Sequence, residues 1–234
     1  RRARRGLAMA LNPRISLEGL FAGQVAQLKG DSRSSAIVKT PVSGRRLLTE
    51  EGLAGDTQAD RRAHGGDGKA LHHYPAEHYA QLAATFSEAQ HLAPGGLGEN
   101  ISTHGLTEAD VCIGDVFRIG NARIQVSQPR TPCWKIDTRT ACEGVSAFIG
   151  EHGLAGWYYR VLETGEIAAG DWLQHIERPA DAVTLAEFWR VIRAQRPSIE
   201  ALLRLAYATG LDPQWAGKLI QRVDWLRNNT GSAP

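Results

Sequence analysis

Arg123-Ile124-Gln125-Val126-Ser127-Gln128-Pro129-Arg130-Thr131-Pro132-Cys133-Trp134-Lys135 passes from an alternating strand into a loop held stiff by two prolines. Ile124 and Val126 alternate with polar neighbours over Arg123–Ser127, the period of a half-buried strand. Just upstream, Ile119-Gly120-Asn121-Ala122-Arg123 sets Gly-Asn between two such runs and predicts a hairpin, with Val116–Ile119 as its first arm. Pro129 and Pro132 each fix their own φ and restrict the residue before them. Arg130 and Lys135 place positive charge within a few residues of the Cys133 sulfur. Positive charge favours thiolate, the form that attacks electrophiles and binds soft metals. The chemistry is expected at this loop.

Outward from the hairpin, residues from about 15 to 177 read as short apolar runs broken by Gly, Pro, Asn and Asp, the texture of an irregular β domain. Further strands are predicted at Leu20–Leu28, Ala36–Thr40 and Trp172–Ile176. A helix is predicted at Ala76–Phe86, with Pro75 as its first residue and Tyr79, Leu82, Ala83 and Phe86 at helical spacing. A shorter one is predicted at Val145–Gly150. Short strands with many turns favour a barrel or sandwich over a parallel sheet.

After Pro179 the texture changes. Thr184-Leu185-Ala186-Glu187 is a capping box, and Leu185, Phe188, Trp189 and Ile192 share one helical face. Ser198 opens a second helix predicted to end at Thr209-Gly210. Asp212-Pro213 opens a third, with Trp215, Leu219, Val223 and Leu226 on one face. The expected organisation is an Arg-rich flexible tail at 1–17, a β domain at 18–178 and a three-helix module at 183–228. Seven Arg or Lys against four acids is a weak charge excess for a helix–turn–helix reading of that module. Packing or partner docking fits it better.

Composition narrows the classes. The formal charge is +2, but Arg1, Arg2, Arg4 and Arg5 supply four positives, which leaves the remainder at −2. A near-neutral body argues against nucleic acid as a partner. Cys112, Cys133 and Cys142 are too few for a disulfide framework and point to a reducing, cytoplasmic compartment. No run approaches the roughly 20 apolar residues of a membrane span.

Two glycine-rich segments accompany the cysteine loop. Gly52–Pro75 contains Arg61, Arg62, His64-Gly65-Gly66, Gly68-Lys69 and His72-His73, and glycines let backbone N–H groups approach an anion. It matches neither the P-loop nor the dinucleotide fingerprint. His64, His72, His73 and His78 lack the paired spacing of a zinc finger. The second segment is Gly95-Gly96-Leu97-Gly98-Glu99-Asn100-Ile101-Ser102. Asn100 can donate and accept toward a heterocycle edge, and Glu99 can carry a proton. Cys112, between Val111 and Ile113, reads as core, and Cys142 is assigned no role.

Taken in order, Gly55-Asp56, His64-Gly65-Gly66, His73-Tyr74-Pro75, Gly98-Glu99-Asn100-Ile101 and Gln128-Pro129-Arg130-Thr131-Pro132-Cys133 resemble the MOSC family, domains related to the C-terminal part of molybdenum cofactor sulfurase. The likeness within it is to the YiiM-like group, since Cys133-Trp134-Lys135 follows Ser127-Gln128-Pro129-Arg130 and a three-helix tail follows the β domain. It spans roughly Gly19 to Leu226. The resemblance implies a mainly β, irregular MOSC barrel with a few helices, holding a molybdenum cofactor (molybdopterin), plus the C-terminal three-helix domain. Cys133 would be the molybdenum ligand. Arg130, Lys69 and Arg62 are candidates for the pterin phosphate, Asn100 and Gln128 for the pterin edge, and Lys135 for a further cofactor contact. His64, His73 and Glu99 are candidates for cofactor contact or proton delivery, with Cys133, Glu99 and His73 forming the expected catalytic set.

The implied activity is reduction of N-hydroxylated compounds, such as hydroxylaminopurines, to amines. No iron–sulfur cysteine set or flavin fingerprint occurs, so a separate redox partner protein is expected to supply electrons. The other expected partners are the small N-hydroxylated substrate and, as an open option, a second copy of the chain. Two alternatives stand beside this: a sulfur carrier or cofactor-transfer protein using a Cys133 persulfide or thiolate, and a non-catalytic binding module using the helical tail.

Overall fold

Seven strands close on themselves in the computed structural model, which describes residues 14–28, 33–57 and 66–229. They are β1 (Ile15–Ala22), β2 (Leu71–Pro75), β3 (Ile101–Thr103), β4 (Val116–Ile119), β5 (Ala122–Pro129), β6 (Trp157–Glu163) and β7 (Trp172–Glu177). The order round the wall is β7-β4-β5-β6-β2-β3-β1, and pairing of β1 with β7 shuts the barrel. Every pair is antiparallel except β2 with β3. Closure removes the open edges that make a sheet aggregate.

The predicted hairpin is β4–β5, with Ile119 opposite Ala122. β5 runs on to Pro129, because its far half pairs with β6 and reaches Trp157. The Leu20–Leu28 run divides: β1 starts earlier, at Ile15, and ends at Ala22. Residues 15–17 therefore belong to the barrel wall and not to the expected tail, of which residues 1–13 lie outside the described residues. Ala36–Thr40 is not a strand; only Ser34–Ser35 and Thr40–Pro41 pair, and the chain between them faces a cavity. Pro75 closes β2 and does not open the next helix, which is α1 (Glu77–Thr85).

Two apolar cores flank the wall. Leu71 of β2 faces the barrel interior with Trp157, Tyr159 and Phe117. Tyr74, on the opposite parity, faces an outer core with Tyr79, Leu82, Leu97, Ile136 and Ile149. That outer core is covered by α1, α2 (Lys135–Thr140) and α3 (Val145–His152). β2 is thus buried on both faces, which explains the five consecutive buried residues Leu71–Pro75.

The C-terminal helices are α4 (Leu185–Arg193), α5 (Ile199–Ala206) and α6 (Pro213–Asn229). Thr184 Oγ1 accepts from the Glu187 backbone N–H at 3.0 Å, the expected cap. Glu187 does not complete the reciprocal half of the box in its side chain's observed pairing, which is with Arg204 at 2.5 Å. α5 stops at Ala206, short of the predicted Thr209-Gly210. Phe188, Leu202, Leu219 and Val223 share one continuous core with the barrel. Backbone bonds from Ile113 to Val183 and from Leu185 to Val111 stitch the module's start to the barrel.

Candidate functional site

The Arg130–Lys135 loop leaves the end of β5 and forms one wall of a cavity on the outer face of the barrel. Cys133, half-buried, lines it together with Arg130, Lys135, Lys69, Lys39 and Asn100. Among the described residues, four cationic side chains (Lys39, Lys69, Arg130, Lys135) face a single lining carboxylate, Asp56. Such a balance favours an anionic occupant.

Asp56 is the hub of one side. Its Oδ2 lies 2.6 Å from Lys39 Nζ and accepts from Asn100 Nδ2 at 2.8 Å, while its Oδ1 accepts from the Gly23 N–H at 2.8 Å. Burial lowers the Lys39 pKa, and the Asp56 charge opposes that fall. Asn100 Oδ1 accepts from the His72 N–H at 3.0 Å, and the Asn100 N–H donates to the His72 carbonyl at 2.8 Å. Asn100 therefore lines the cavity with its amide largely committed to the protein.

On the other side, Arg130 is 6% exposed and donates through Nη2 to the Leu97 carbonyl at 3.0 Å. Its Nη1 is buried without a hydrogen-bond partner among the described residues. His72 Nε2 is in the same condition and lines the same cavity. Burial, then the Arg130 charge, drives the His72 pKa well below its ordinary value, so the ring is neutral at pH 7. Tyr158 stacks obliquely on His72 with ring centroids 5.0 Å apart. Unpaired buried polar atoms are costly unless something fills the space before them. Gly98, at φ +86, passes so close to Ile37 that a side chain there would meet its Cγ1 at 2.9 Å.

Strand parity corrects part of the expected site. His73 points into the barrel, fully buried, with Nδ1 3.0 Å from the Tyr159 hydroxyl and Nε2 2.9 Å from Thr103 Oγ1. Burial pushes its pKa down to about 3. The cavity histidine is its neighbour His72, because successive side chains on a strand face opposite sides. Glu99 is also fully buried and does not line the cavity. It accepts from the Tyr79 hydroxyl at 2.5 Å, the Gly95 N–H at 2.6 Å and the Leu97 N–H at 3.1 Å. That geometry makes it a brace for the 95–99 turn. Gln128 likewise lies behind the wall, with Nε2 donating to the Gly68 carbonyl at 3.1 Å. His64 and Arg62 lie outside the described residues.

Sequence reasoning missed Lys39, His72 and Tyr158, and quoted Asp56 without a role. Lys39 carried the one usable signal, a lysine directly after the apolar run Ala36-Ile37-Val38. The other histidines do not converge: His78 Nε2 pairs with Glu108 Oε2 at 2.7 Å. Cys112 is buried, and burial followed by the Asp115 charge pushes its thiol up to about 11. Trp134 stands outside the cavity under the Arg33 guanidinium, 3.6 Å from the ring centroid.

The barrel and its cysteine-lined cavity lie largely within residues 60–174, which match the MOSC domain model. The chain belongs to the MOSC domain family. It is 39% identical over 205 residues to Protein YiiM of Escherichia coli (strain K12), covering 87% of this chain and 90% of that one. The crystal structure of YiiM from Escherichia coli superimposes with a TM-score of 0.75 at 33% identity, covering 91% of this chain and 93% of that one. A protein named Reductase from Gibberella moniliformis (strain M3125 / FGSC 7600) is 35% identical over 175 residues, 74% of this chain and 31% of that protein.

Proposed function

We propose that the protein is a molybdenum-cofactor-binding oxidoreductase that reduces N-hydroxylated compounds, such as hydroxylaminopurines, to amines. One observation carries this reading: Arg130 and His72, each with a buried side-chain nitrogen (Nη1 and Nε2) lacking a hydrogen-bond partner among the described residues, line the cavity that a half-buried cysteine also lines. An anion-bearing group with a thiophilic metal fits those features together. The reductase name of the fungal relative agrees with it.

In this reading Cys133 Sγ is the metal ligand. Arg130, Lys39 and Lys69 hold the phosphate, and Asn100 fixes the lysine side of the pocket through Asp56. When bound, the cofactor supplies a two-electron centre able to accept an oxygen atom from the substrate. His72, kept neutral by burial, exchanges a proton at Nε2 without first losing a charge. The net reaction takes R–NHOH, two electrons and two protons to R–NH2 and water. The electrons come from a separate redox partner protein.

The test is anaerobic purification from a molybdenum-replete host, with metal and pterin analysis of wild type and Cys133→Ala. Molybdenum in wild type, its loss from the variant, and hydroxylaminopurine reduction by wild type with an artificial donor are the expected results. Metal-free wild type bearing a persulfide on Cys133 would overturn the reading in favour of sulfur transfer.

A further inference from the structure

The three-helix module meets the turn beside the cavity at Gly68, against which Asp212 packs. The turn Asp67–Lys69 brings Lys69 to the cavity wall, and Gly68 at its centre is held from two directions. From the barrel, Ser127 Oγ and Gln128 Nε2 donate to the Gly68 carbonyl at 2.5 and 3.1 Å. From the helical module, the Asp212 carboxylate lies against the Gly68 Cα. A Cβ on Gly68 would collide with Asp212 Oδ2 and lie 2.9 Å from Gln128 Nε2. The backbone at Gly68 is not left-handed, so a side chain there is opposed only by contact with the ends of Asp212 and Gln128.

Asp212 is itself fixed. Its N–H donates to the Ser127 carbonyl at 2.9 Å, and its Oδ1 accepts from the Gln214 N–H at 2.9 Å as the cap of α6. Arg160 Nη1 pins the same loop by donating to the Gly210 carbonyl at 2.9 Å. Gly210 in turn packs so closely on Gly114 that a Cβ would sit 2.6 Å from its Cα. Ser127 is therefore shared: its backbone holds Asp212 and its hydroxyl holds Gly68.

We propose that Asp212 is a positioning residue, through which the three-helix module seats the Gly68 turn and so sets Lys69 against an anionic phosphate-bearing ligand in the cavity. This rests on the proposed function only for the identity of that ligand. It gives the helical module a role in the site that the module does not line.

The full chain, prepared free of pterin, is titrated with inorganic pyrophosphate by calorimetry, and the urea midpoint is measured on the same preparations. Wild type binds pyrophosphate, and Gly68→Ala weakens binding by at least about threefold. Asp212→Ser, shorter but still a helix cap, restores at least half of that loss in the double variant. Lys69→Ala weakens binding at least as much, and Gly68→Ala adds nothing on top of it. If Gly68→Ala does not fold, Asp212→Ser alone serves, with at least about threefold weaker binding at an unchanged urea midpoint. No binding by wild type, a smaller change, no rescue, or additive losses would each overturn the proposal. Pyrophosphate binding in the expected pattern upholds the positioning role, and failure of wild type to take up pterin in a separate reconstitution would sink the proposed cofactor alone.

Discussion

Lys39 Nζ sits 2.6 Å from Asp56 Oδ2, and the two side chains are only 7% and 9% exposed. A buried pair of this kind gains little net stability when intact, but removing one partner strands the other charge. Asp56→Asn is expected to cost about 3–5 kcal/mol in urea unfolding at pH 7. The unfolded state then holds the Lys39 proton more tightly than the folded state, so the loss shrinks as pH rises. Asp56→Asn with Lys39→Met recovers most of the stability. A single-variant loss below about 1 kcal/mol would show that water reaches the pair.

Arg130 lines the cavity, donates through Nη2 to the Leu97 carbonyl and keeps Nη1 buried without a partner among the described residues. Lysine keeps the charge but lacks the fork that serves both. Arg130→Lys is expected to lower pterin retention about tenfold or more, and Arg130→Ala further, both with native circular dichroism. Retention by Arg130→Lys at the wild-type level would remove Arg130 from the binding set.

His72 and His73 are both buried with depressed pKa values. The unfolded chain takes up a proton at each near pH 6.5, and the folded chain does so only at lower pH. Their contribution is intact above about pH 6.5 and is lost toward acid at up to about 1.4 kcal/mol per pH unit for each. Burial raises the Glu99 pKa, which acts with the opposite sign, but Glu99 is common to wild type and variant. His73→Gln should therefore flatten the slope of unfolding free energy between pH 6 and pH 4 relative to wild type (about one histidine's share). Parallel slopes would show that His73 protonates in the fold.

Glu99 has three donors and no cavity face. Glu99→Gln is expected to destabilise by about 1–3 kcal/mol, because one amide arm cannot replace the carboxylate as acceptor. Turnover per folded molecule should hold near wild type across pH 6–8. A bell-shaped profile losing one limb in the variant would instead make Glu99 a proton donor.

The cysteines should separate by accessibility. In metal-free protein at pH 7.5, iodoacetamide is expected to label Cys133 and Cys142, both half-buried, well before Cys112, whose buried thiol is pushed up to about 11. Mass spectrometry of the peptides reads the order. Early labelling of Cys112 would mean that the seam between barrel and helical module opens.

Local pattern was enough for the β4–β5 hairpin, β7, α1 and the helix caps at Thr184 and Ser198, because those signals lie within a few residues of each other. The order of the glycine and cysteine motifs was enough for the family. Two-sided burial hid β2, since a strand covered on both faces shows no alternation. Parity then misdirected the site: His72 and His73 are equivalent in composition, and only the barrel's closure decides which one faces the cavity. The same holds for Glu99 and Gln128, whose polar groups brace the wall from behind. Lys39 and Asp56, 17 residues apart, became a pair only when the turns around them folded onto one side of β2. The sequence by itself determined the kind of barrel and the thiol at its loop. Tertiary structure alone decided which buried charges share the cavity, because desolvation and pairing depend on distances that no local spacing encodes.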